Sequence, residues 1–251
     1  MSGKGARAAQ AAPGTPGDGV TFRDLDGVAE LKACEALQTA VWGKDDPVDN
    51  SDLLLAIQHE GGLVGGAFRG GHLIGMVFGF PSATLGVQHS HRLAVHPEAR
   101  GLKLGARLKW FQRDWCLQRN IARVRWTYDP LRAINAGLNI GHLGATASHY
   151  HPDYYGPMEG INAGLPSDRL VADWQLDAPG VVARAAGDAA PAEGAPRLAV
   201  PIPADLDHLF ATDLEAALAA RMAVRRALTQ AFAEGLRITG FDARKPAYLL
   251  T

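Results

Sequence analysis

The sequence predicts an α/β or α+β fold, and three observations support this class. Short apolar strands alternate with amphipathic helices along most of the chain. A strand–turn–helix–strand unit in the middle, residues 89–127, requires a crossover between two parallel strands. A second strand–helix–strand pattern follows residue 197, and it predicts a C-terminal β-α-β extension. At 47% hydrophobic and 20% charged residues, the composition is that of a globular protein with a sizeable core.

Alternation of apolar residues and turn residues predicts the elements before the central unit. Arg69-Gly70-Gly71 between two apolar runs is a hairpin signal. In the first helix, Val28 is expected to face inward along with the leucines. The predicted elements are a strand 20–23, a helix capped by Asp26 that runs to 42, a short helix 52–58 capped by Ser51, and strands 63–68 and 72–80.

The central unit contains a turn suited to an anion. The strand 89–95 stops at Pro97, and an amphipathic helix begins near Leu104. Gly101 and Gly105 let the backbone turn tightly and let a ligand approach it. The first N–H groups of the helix and its dipole favour an anion such as a pyrophosphate. An ordinary turn with solvated charges is the alternative, because neither a P-loop nor a Gly-x-Gly-x-x-Gly turn is present.

The remaining elements complete the alternation and set the domain boundaries. They are a strand 121–127, a helix 131–143, strands 145–150 and 170–176, a strand 198–202, a long helix 205–234, and strands 236–241 and 247–250. The stretch 178–196 is rich in Ala, Gly and Pro, which predicts a linker. We therefore expect a disordered tail 1–19, a domain 20–177, a linker 178–196 and an extension 197–251 that packs on the core.

Composition excludes several partners. The net charge of −1 gives no electrostatic basis for binding nucleic acid or an anionic membrane. No apolar run approaches the about 18 residues of a membrane helix, and the N-terminal residues lack the apolar centre of a signal peptide. Cys34 and Cys116 form no Cys-x-x-Cys pair, so we expect buried free thiols and a cytoplasmic protein.

Four segments together resemble one known family. HSHRLAV, ARGLKLGARLKWFQRDW, WTYDPLRAINAGLNIGHLGA and YYGPMEGINAGLPSDRLVADW look like a subgroup of the GNAT N-acyltransferase superfamily that includes amino-acid N-succinyltransferases. The resemblance covers roughly residues 20–177. It implies the GNAT fold, with a mixed central sheet flanked by helices, and acyl-CoA as cosubstrate, either acetyl-CoA or succinyl-CoA, without a metal.

The resemblance also implies where coenzyme A binds. Arg100 and Gly105 match the family's pyrophosphate loop, Arg/Gln-x-x-Gly-x-Gly/Ala, and Lys103 occupies its first glycine position. Backbone groups of the preceding strand would pair with the pantetheine arm, and one N–H would stabilise the oxyanion. The implied coenzyme-binding residues are Leu93, Ala94, Val95, Arg100, Gly101, Leu102, Lys103, Leu104, Gly105, Ala106 and Asn135. For Asn135, a polar position on a helix surface is the alternative.

Proton transfer and substrate recognition require side chains. His89 and His91 share a strand face, and either suits a general base, with His91 preferred; substrate binding or a core histidine is the alternative. Many relatives protonate the leaving thiolate with a tyrosine where this chain has Ile140, so Tyr155 is the expected donor unless the thiolate leaves unaided. The expected substrate contacts are Ser90 for the acyl group and Arg92, Arg132 and Arg169 for a carboxylate.

These inferences favour an acyl-CoA-dependent N-acyltransferase with direct transfer to an amino acid. Acetyl transfer to a small amine or antibiotic, and a non-catalytic acyl-CoA sensor, stay open. So does a metal-dependent hydrolase, because the pairs His89/His91 and His149/His151 have strand spacing for chelation, although no zinc motif accompanies them. The expected partners are a small-molecule amine and coenzyme A, with no nucleic acid and no membrane; a homodimer is left open.

Overall fold

The computed structural model describes residues 17–156, 164–191 and 194–251, in two compact units that divide between Asn120 and Ile121. Most of the predicted disordered tail, residues 1–16, lies outside the described residues. In the first unit, four antiparallel strands pair in chain order. Its elements are β1 Val20–Asp24, α1 Gly27–Trp42, α2 Ser51–His59, β2 Leu63–Arg69, β3 His72–Pro81, β4 Val87–Val95 and α3 Leu104–Leu117.

The sheet of the first unit is covered by helices on both faces. Alternation along β2 puts Val64 in a core with α1 and α2, in which Leu31 and Leu54 are fully buried. Gly65 points to the other face, where an added Cβ would lie 2.5 Å from the ring of Phe111 on α3. A glycine is therefore needed here so that α3 can approach the strand.

Two details of the helix starts differ from the sequence-based expectation. Val28 is 59% exposed, because it lies at the solvent-facing start of α1 rather than in the core. The cap of α2 is Asn50, whose Oδ1 accepts a hydrogen bond from the Leu53 N–H at 2.9 Å, and Ser51 is the first helical residue. Asp26 is at the N-cap of α1, but its side chain makes no cap hydrogen bond.

The second unit contains two antiparallel sheets. In one, β7 pairs with β5 and β6; in the other, β10 pairs with β8 and β9. A π-helical stretch, Gly137–His142, continues α4. The elements are β5 Arg123–Tyr128, α4 Ala133–Ala136, β6 Tyr150–His151, β7 Arg169–Gln175, α5 Pro179–Ala186, β8 Leu198–Pro201, α6 Leu206–Thr212, α7 Leu214–Ala233, β9 Ile238–Asp242 and β10 Ala247–Leu250.

The C-terminal residues contact the earlier part of this unit through buried polar groups. The guanidinium of Arg221 on α7 donates two hydrogen bonds to the Asp129 carboxylate, at 2.7 and 2.8 Å. The hydroxyl of Tyr248 on β10 donates to the carbonyl of Pro130 at 2.8 Å, and both Arg221 and Tyr248 are almost fully buried. Such bidentate and buried contacts are geometrically demanding, so they hold residues 198–250 in one register against the strand end at 129–130.

Four sequence-based boundaries in this unit are wrong. The expected strand 145–150 is replaced by isolated bridges at Thr146 and Ala147 and the short strand β6. The expected helix 205–234 breaks at Asp213, because its carboxylate accepts from the Ala216 N–H and caps α7. The expected linker contains α5, which starts with Pro179 in its first turn and buries Val181. The expected regular helix 131–143 becomes π-helical after Ala136. No helix in the described part of the chain has the length and apolarity to span a membrane.

Candidate active site

Strand β4 carries two histidines and an irregularity that sets their direction. Its pairing with β3 shifts by one residue between Phe78 and Gly79, which makes His91 the extra residue of a β-bulge. The rings of His89 and His91 lie 5.8 Å apart, and each is within 6 Å of the Phe80 ring, at 5.1 and 5.9 Å. The structure therefore brings both predicted bases together on one side of the strand.

The environment of His91 favours the neutral form of its imidazole. Partial burial lowers the pKa of His91, the carboxylate of Asp49 opposes this shift, and the charge of Arg92 adds to it. The distance from His91 Nε2 to Asp49 Oδ1 is 3.9 Å, too long for a hydrogen bond. The imidazole side chain is 38% exposed, so solvent or a ligand can reach it. A neutral, accessible imidazole can accept a proton near neutral pH.

Arg92, an expected substrate contact, is already bound to the loop between α1 and α2. Its guanidinium forms ion pairs with Asp46 and Asp49, both at 2.9 Å, and donates to the carbonyl of Pro47 at 3.0 Å. It also lies 4.8 Å from the Trp42 ring centroid. With two carboxylates on it, Arg92 is not an available cation, and its evident role is to fasten this loop to β4.

Ser90, the expected acyl contact, points to the opposite side and is buried beneath α3. Its hydroxyl donates to Gln112 Oε1 at 3.2 Å and accepts from Lys109 Nζ at 3.1 Å. Lys109 also donates to Gln112 at 2.8 Å, and Gln112 donates to Gln88 at 2.7 Å. Burial lowers the pKa of Lys109 to about 7. Ser90 therefore belongs to a buried polar cluster, which the sequence analysis missed.

The turn after β4 has the backbone shape of a glycine-rich loop, although lysine occupies one glycine position. Gly101 has φ 89°, and Lys103 adopts the left-handed conformation, with φ 53° and ψ 29°, immediately before α3 begins. Arg107 pairs with Asp18 at 2.5 Å. Leu104 is 1% exposed and belongs to the core. The other predicted residues of the turn and first helical turn are at least partly exposed: Arg100, Gly101, Leu102, Lys103, Gly105 and Ala106.

The predicted pantetheine-binding backbone forms the end of β4. Leu93, Ala94 and Val95 pair with Val77, Met76 and Gly75 of β3. Ala94 is 2% exposed, so its side chain is part of the core and only its backbone can serve a ligand.

In the second unit, Arg132 and Arg169 line the same small cavity. Arg132 forms an ion pair with Asp207 at 2.8 Å. Arg169 donates to the backbone carbonyl of Asp168 and forms no ion pair with any described residue. The Asp168 carboxylate is bound by Arg225 instead, so Asp168 and Arg169 form no ion pair although they are neighbours in sequence.

Tyr155, the expected acid, is 55% exposed, and its hydroxyl lies 3.5 Å from Thr127 Oγ1. The guanidinium of Arg169 lies 4.9 Å from its ring centroid. Ile140 is fully buried and offers no proton. Asn135 is partly buried and lines an open groove with Arg132 and residues 204–208.

The two histidines of the second His-x-His pair contact different neighbours. His149 Nδ1 lies 3.0 Å from the Ser148 hydroxyl, and the His151 ring is 5.2 Å from Tyr154. Within residues 17–156, 164–191 and 194–251, no three His, Cys, Asp or Glu side chains are grouped to hold a metal ion.

Comparison with known proteins identifies the fold. Residues 31–136 match the model of the Acetyltransferase (GNAT) family. The ribosomal-protein-S18-alanine N-acetyltransferase from Escherichia coli is 17% identical, with a TM-score of 0.52 over 62% of this chain and 94% of that one. A putative acetyltransferase from Salmonella typhimurium, solved with its cofactor acetyl-CoA, is 22% identical, with a TM-score of 0.51 over 64% and 95%.

An aminoglycoside 6'-acetyltransferase of type Ii gives a TM-score of 0.51 at 14% identity, over 62% of this chain and 96% of that one. No curated protein matches the chain. The expected GNAT fold is confirmed, and residues 31–136 are similar to the GNAT acetyltransferase family. The N-succinyltransferase subgroup stays a prediction.

Proposed function

We propose that this protein is a GNAT-family acyltransferase, and that it transfers an acyl group from acyl-CoA directly to the amine of an amino acid. The observation that carries the proposal is the state of His91. It stands on a bulge of β4, it is accessible, and its lowered pKa favours the neutral imidazole. An amine must lose a proton before it can attack a thioester, and a neutral imidazole can accept that proton.

The turn at 100–105 fits the pyrophosphate of coenzyme A. Arg100 and Lys103 are exposed and form no ion pair with described residues, and Gly101 has open space where a Cβ would be. The first N–H groups of α3 begin at Leu104, and a 14-residue helix supplies the dipole. Bound acyl-CoA would supply the activated carbonyl group.

The chain's own groups would then act in sequence. His91 takes the proton from the acceptor amine as the N–C bond forms. A backbone N–H within Leu93–Val95 stabilises the negative charge that develops on the carbonyl oxygen. As the C–S bond breaks, the sulfur receives a proton from Tyr155 or from solvent, with Tyr155 supported only by its exposure.

The charge of the cavity in the second unit favours an acidic ligand. Three arginines and two aspartates line it, which leaves one excess positive charge. A carboxylate belongs to an amino-acid acceptor and to a succinyl group, and we favour succinyl over acetyl as the group transferred. Acetyl transfer to a small amine or antibiotic is the alternative.

A screen for thiol release tests the proposal. Acetyl-CoA, succinyl-CoA and longer acyl-CoAs are crossed with a panel of amino acids and simple amines. We expect release that depends on an amino acid, with the N-acyl product identified by mass spectrometry. Coenzyme binding measured by calorimetry, with no thiol release for any amine, would instead support the acyl-CoA sensor.

We propose a cytoplasmic location as well. The buried free thiols of Cys34 and Cys116 are consistent with it.

A further inference from the structure

The loop between α1 and α2 brings a carboxylate, that of Asp49, to the imidazole of His91. Asp49 Oδ1 lies 3.9 Å from His91 Nε2, somewhat beyond hydrogen-bond range. The other rings beside the imidazole are those of Phe78, Phe80 and His89, at 5.3, 5.9 and 5.8 Å. Catalytic hydrogen bonds are often long before a substrate binds and shorten in the complex, so this distance is compatible with a pair that forms when His91 is protonated.

The backbone of Asp49 is fixed by a buried side chain of α1. Its N–H donates to Gln38 Oε1 at 2.9 Å, and its carbonyl accepts from Gln38 Nε2 at 3.0 Å. Gln38 is 1% exposed, and a buried amide that is bound at both ends holds one geometry. The next residue, Asn50, caps α2 through its own side chain. The backbone on both sides of the carboxylate is therefore held, and only the side chain of Asp49 must turn to reach His91.

Arg92 leaves negative charge and acceptor capacity on Asp49. Its guanidinium pairs with both Asp46 and Asp49, so two carboxylates share one cation and the three groups carry a net charge of −1. The Nε of Arg92 lies 2.9 Å from Asp49 Oδ2 but out of line for a hydrogen bond, and this buried oxygen accepts none from a described residue. An ionised carboxylate with free lone pairs favours a positively charged N–H donor, and a protonated His91 is such a donor.

We propose that Asp49 is the positioning residue of His91. Its carboxylate accepts the N–H of His91 Nε2, which fixes the tautomer and leaves Nδ1 to take the proton of the acceptor amine. Once Nδ1 holds that proton, the carboxylate stabilises the imidazolium until the proton passes to solvent. The inference rests on the proposed function, since only that function makes His91 a base. It makes the α1–α2 loop part of the reaction, because the loop supplies the carboxylate and Arg92 fastens it to β4.

The tautomer of His91 can be measured in the wild-type protein. Long-range proton–nitrogen NMR spectra distinguish a neutral imidazole protonated at Nδ1 from one protonated at Nε2, and the His91 signals are those that disappear in His91→Ala. We expect the Nε2–H tautomer at a pH above the pKa of His91. The Nδ1–H tautomer would overturn the inference, and this measurement does not depend on the folding of any Asp49 variant.

Titration of His91 in three variants tests the charge of the carboxylate. Asp49→Asn keeps the shape of the side chain without its charge, so the pKa of His91 should fall below the wild-type value, because Asp49 raises it. Asp49→Glu keeps the charge and should restore the wild-type titration in part. Asp45→Asn is the matched control, since Asp45 is exposed in the same loop and its charge is screened by water. An unchanged pKa in Asp49→Asn, or an equal fall in Asp45→Asn, would overturn the inference.

Kinetics separate positioning from a purely structural role. Asp49→Asn should lower kcat by about tenfold to a hundredfold, the factor for one hydrogen bond to a charged group, with KM nearly unchanged. The acid limb of its pH–rate profile should move to lower pH together with the pKa of His91. In a protein that already carries His91→Ala, Asp49→Asn should cause no further loss, because it acts only through the imidazole. A lower Tm or a higher KM with an unmoved acid limb would show that Asp49 only fastens the loop.

Thiol release in the same samples separates the two proposals. If amino acids promote release by the wild type and Asp49→Asn keeps the wild-type kcat, the inference fails and the proposed function stands. If no amine promotes release by the wild type, the proposed function fails, and the role of His91 as a base fails with it.

Discussion

Lys103 offers a test in which protein stability and coenzyme affinity should move in opposite directions. It is a non-glycine residue in the left-handed conformation, at φ 53° and ψ 29°. For an L-residue this conformation costs about 1–2 kcal/mol. Glycine removes that cost but loses about 0.5–1 kcal/mol more chain entropy on folding. Lys103→Gly should therefore stabilise the protein by about 0.5–1 kcal/mol, which is roughly 1–4 °C in Tm.

Affinity for coenzyme A should fall in the same variant. The ammonium of Lys103 is exposed at the start of α3, where a single charge contributes about 0.3–1 kcal/mol to binding an anion. This corresponds to a loss of about twofold to fivefold in affinity at low salt. The loss should shrink at high ionic strength, because an exposed charge is screened.

Two measurements and one control complete the experiment. Thermal unfolding gives the stability change, and calorimetry at low and high salt gives the affinity. Lys103→Ala removes the same charge but keeps the left-handed strain, so it should lose affinity without gaining stability. If Lys103→Gly binds coenzyme A like the wild type at both salt concentrations, Lys103 does not lie at the phosphate site. If it is no more stable than Lys103→Ala, the strain argument is wrong.

Four further predictions follow from the same contacts. His91→Ala should lose about 10²–10⁴-fold in kcat while binding coenzyme A normally. The acid limb of the wild-type pH–rate profile should lie below the usual histidine pKa, and the residual rate of the variant should rise with pH towards the pKa of the amine. An unchanged pH–rate profile in the variant would show that the histidine is structural. Gly105→Val should block coenzyme binding in calorimetry on a folded variant, with Gly105→Ala affected less, and full affinity would disprove the placement of the loop. The pKa of Lys109 is lowered to about 7, so this residue binds fewer protons in the folded than in the unfolded protein. The free energy of unfolding should therefore rise from pH 7 to 8.5 by up to about 1.4 kcal/mol per pH unit. Urea titrations of Lys109→Met should show no such rise. A protein that ends at Asp177 lacks Arg221 and Arg225, the ion-pair partners of Asp129 and of the buried Asp168. The truncated protein should therefore be insoluble or have a lower Tm. An equally heat-stable and fully active truncation would contradict this.

Elements whose pattern is fixed by burial were predictable from the sequence. The hairpin of β2 and β3 follows from alternating apolar residues around Arg69-Gly70-Gly71, and its observed bounds differ from the predicted ones by one residue. The start of α3 at Leu104 was equally clear, because its apolar stripe begins there. Boundaries failed where a single polar group decides the outcome. Asp213 breaks a helix that its neighbours' periodicity would continue.

The environment of Ser90 could not be predicted because it depends on a partner element. Alternation correctly predicts that Ser90 faces away from the two histidines. It does not predict which side chains Ser90 contacts on that side. A signal was present in α3, where Lys109, Gln112 and Cys116 recur at three- and four-residue steps beside the apolar stripe. A lysine at such a position usually reaches solvent, so only the packing of α3 on β4 shows that it is buried. The bulge at His91 likewise arises from the pairing of β4 with β3.

The arginines show most clearly how the fold determines which charges are available. Arg92, Arg132 and Arg169 are the same residue type and were all expected to bind a carboxylate. Arg92 is neutralised by two carboxylates of the α1–α2 loop, whereas Arg169 has none among the described residues. Asp168, next to Arg169 in sequence, would have neutralised it, but Arg225, 57 residues later, binds Asp168 instead. The availability of Arg169 is therefore a product of the C-terminal extension, which both removes the competing carboxylate and contributes Leu206, Phe210 and Arg221 to the cavity. A charge is available to a ligand only when the fold leaves it without a partner, and that condition is set by contacts far apart in the chain.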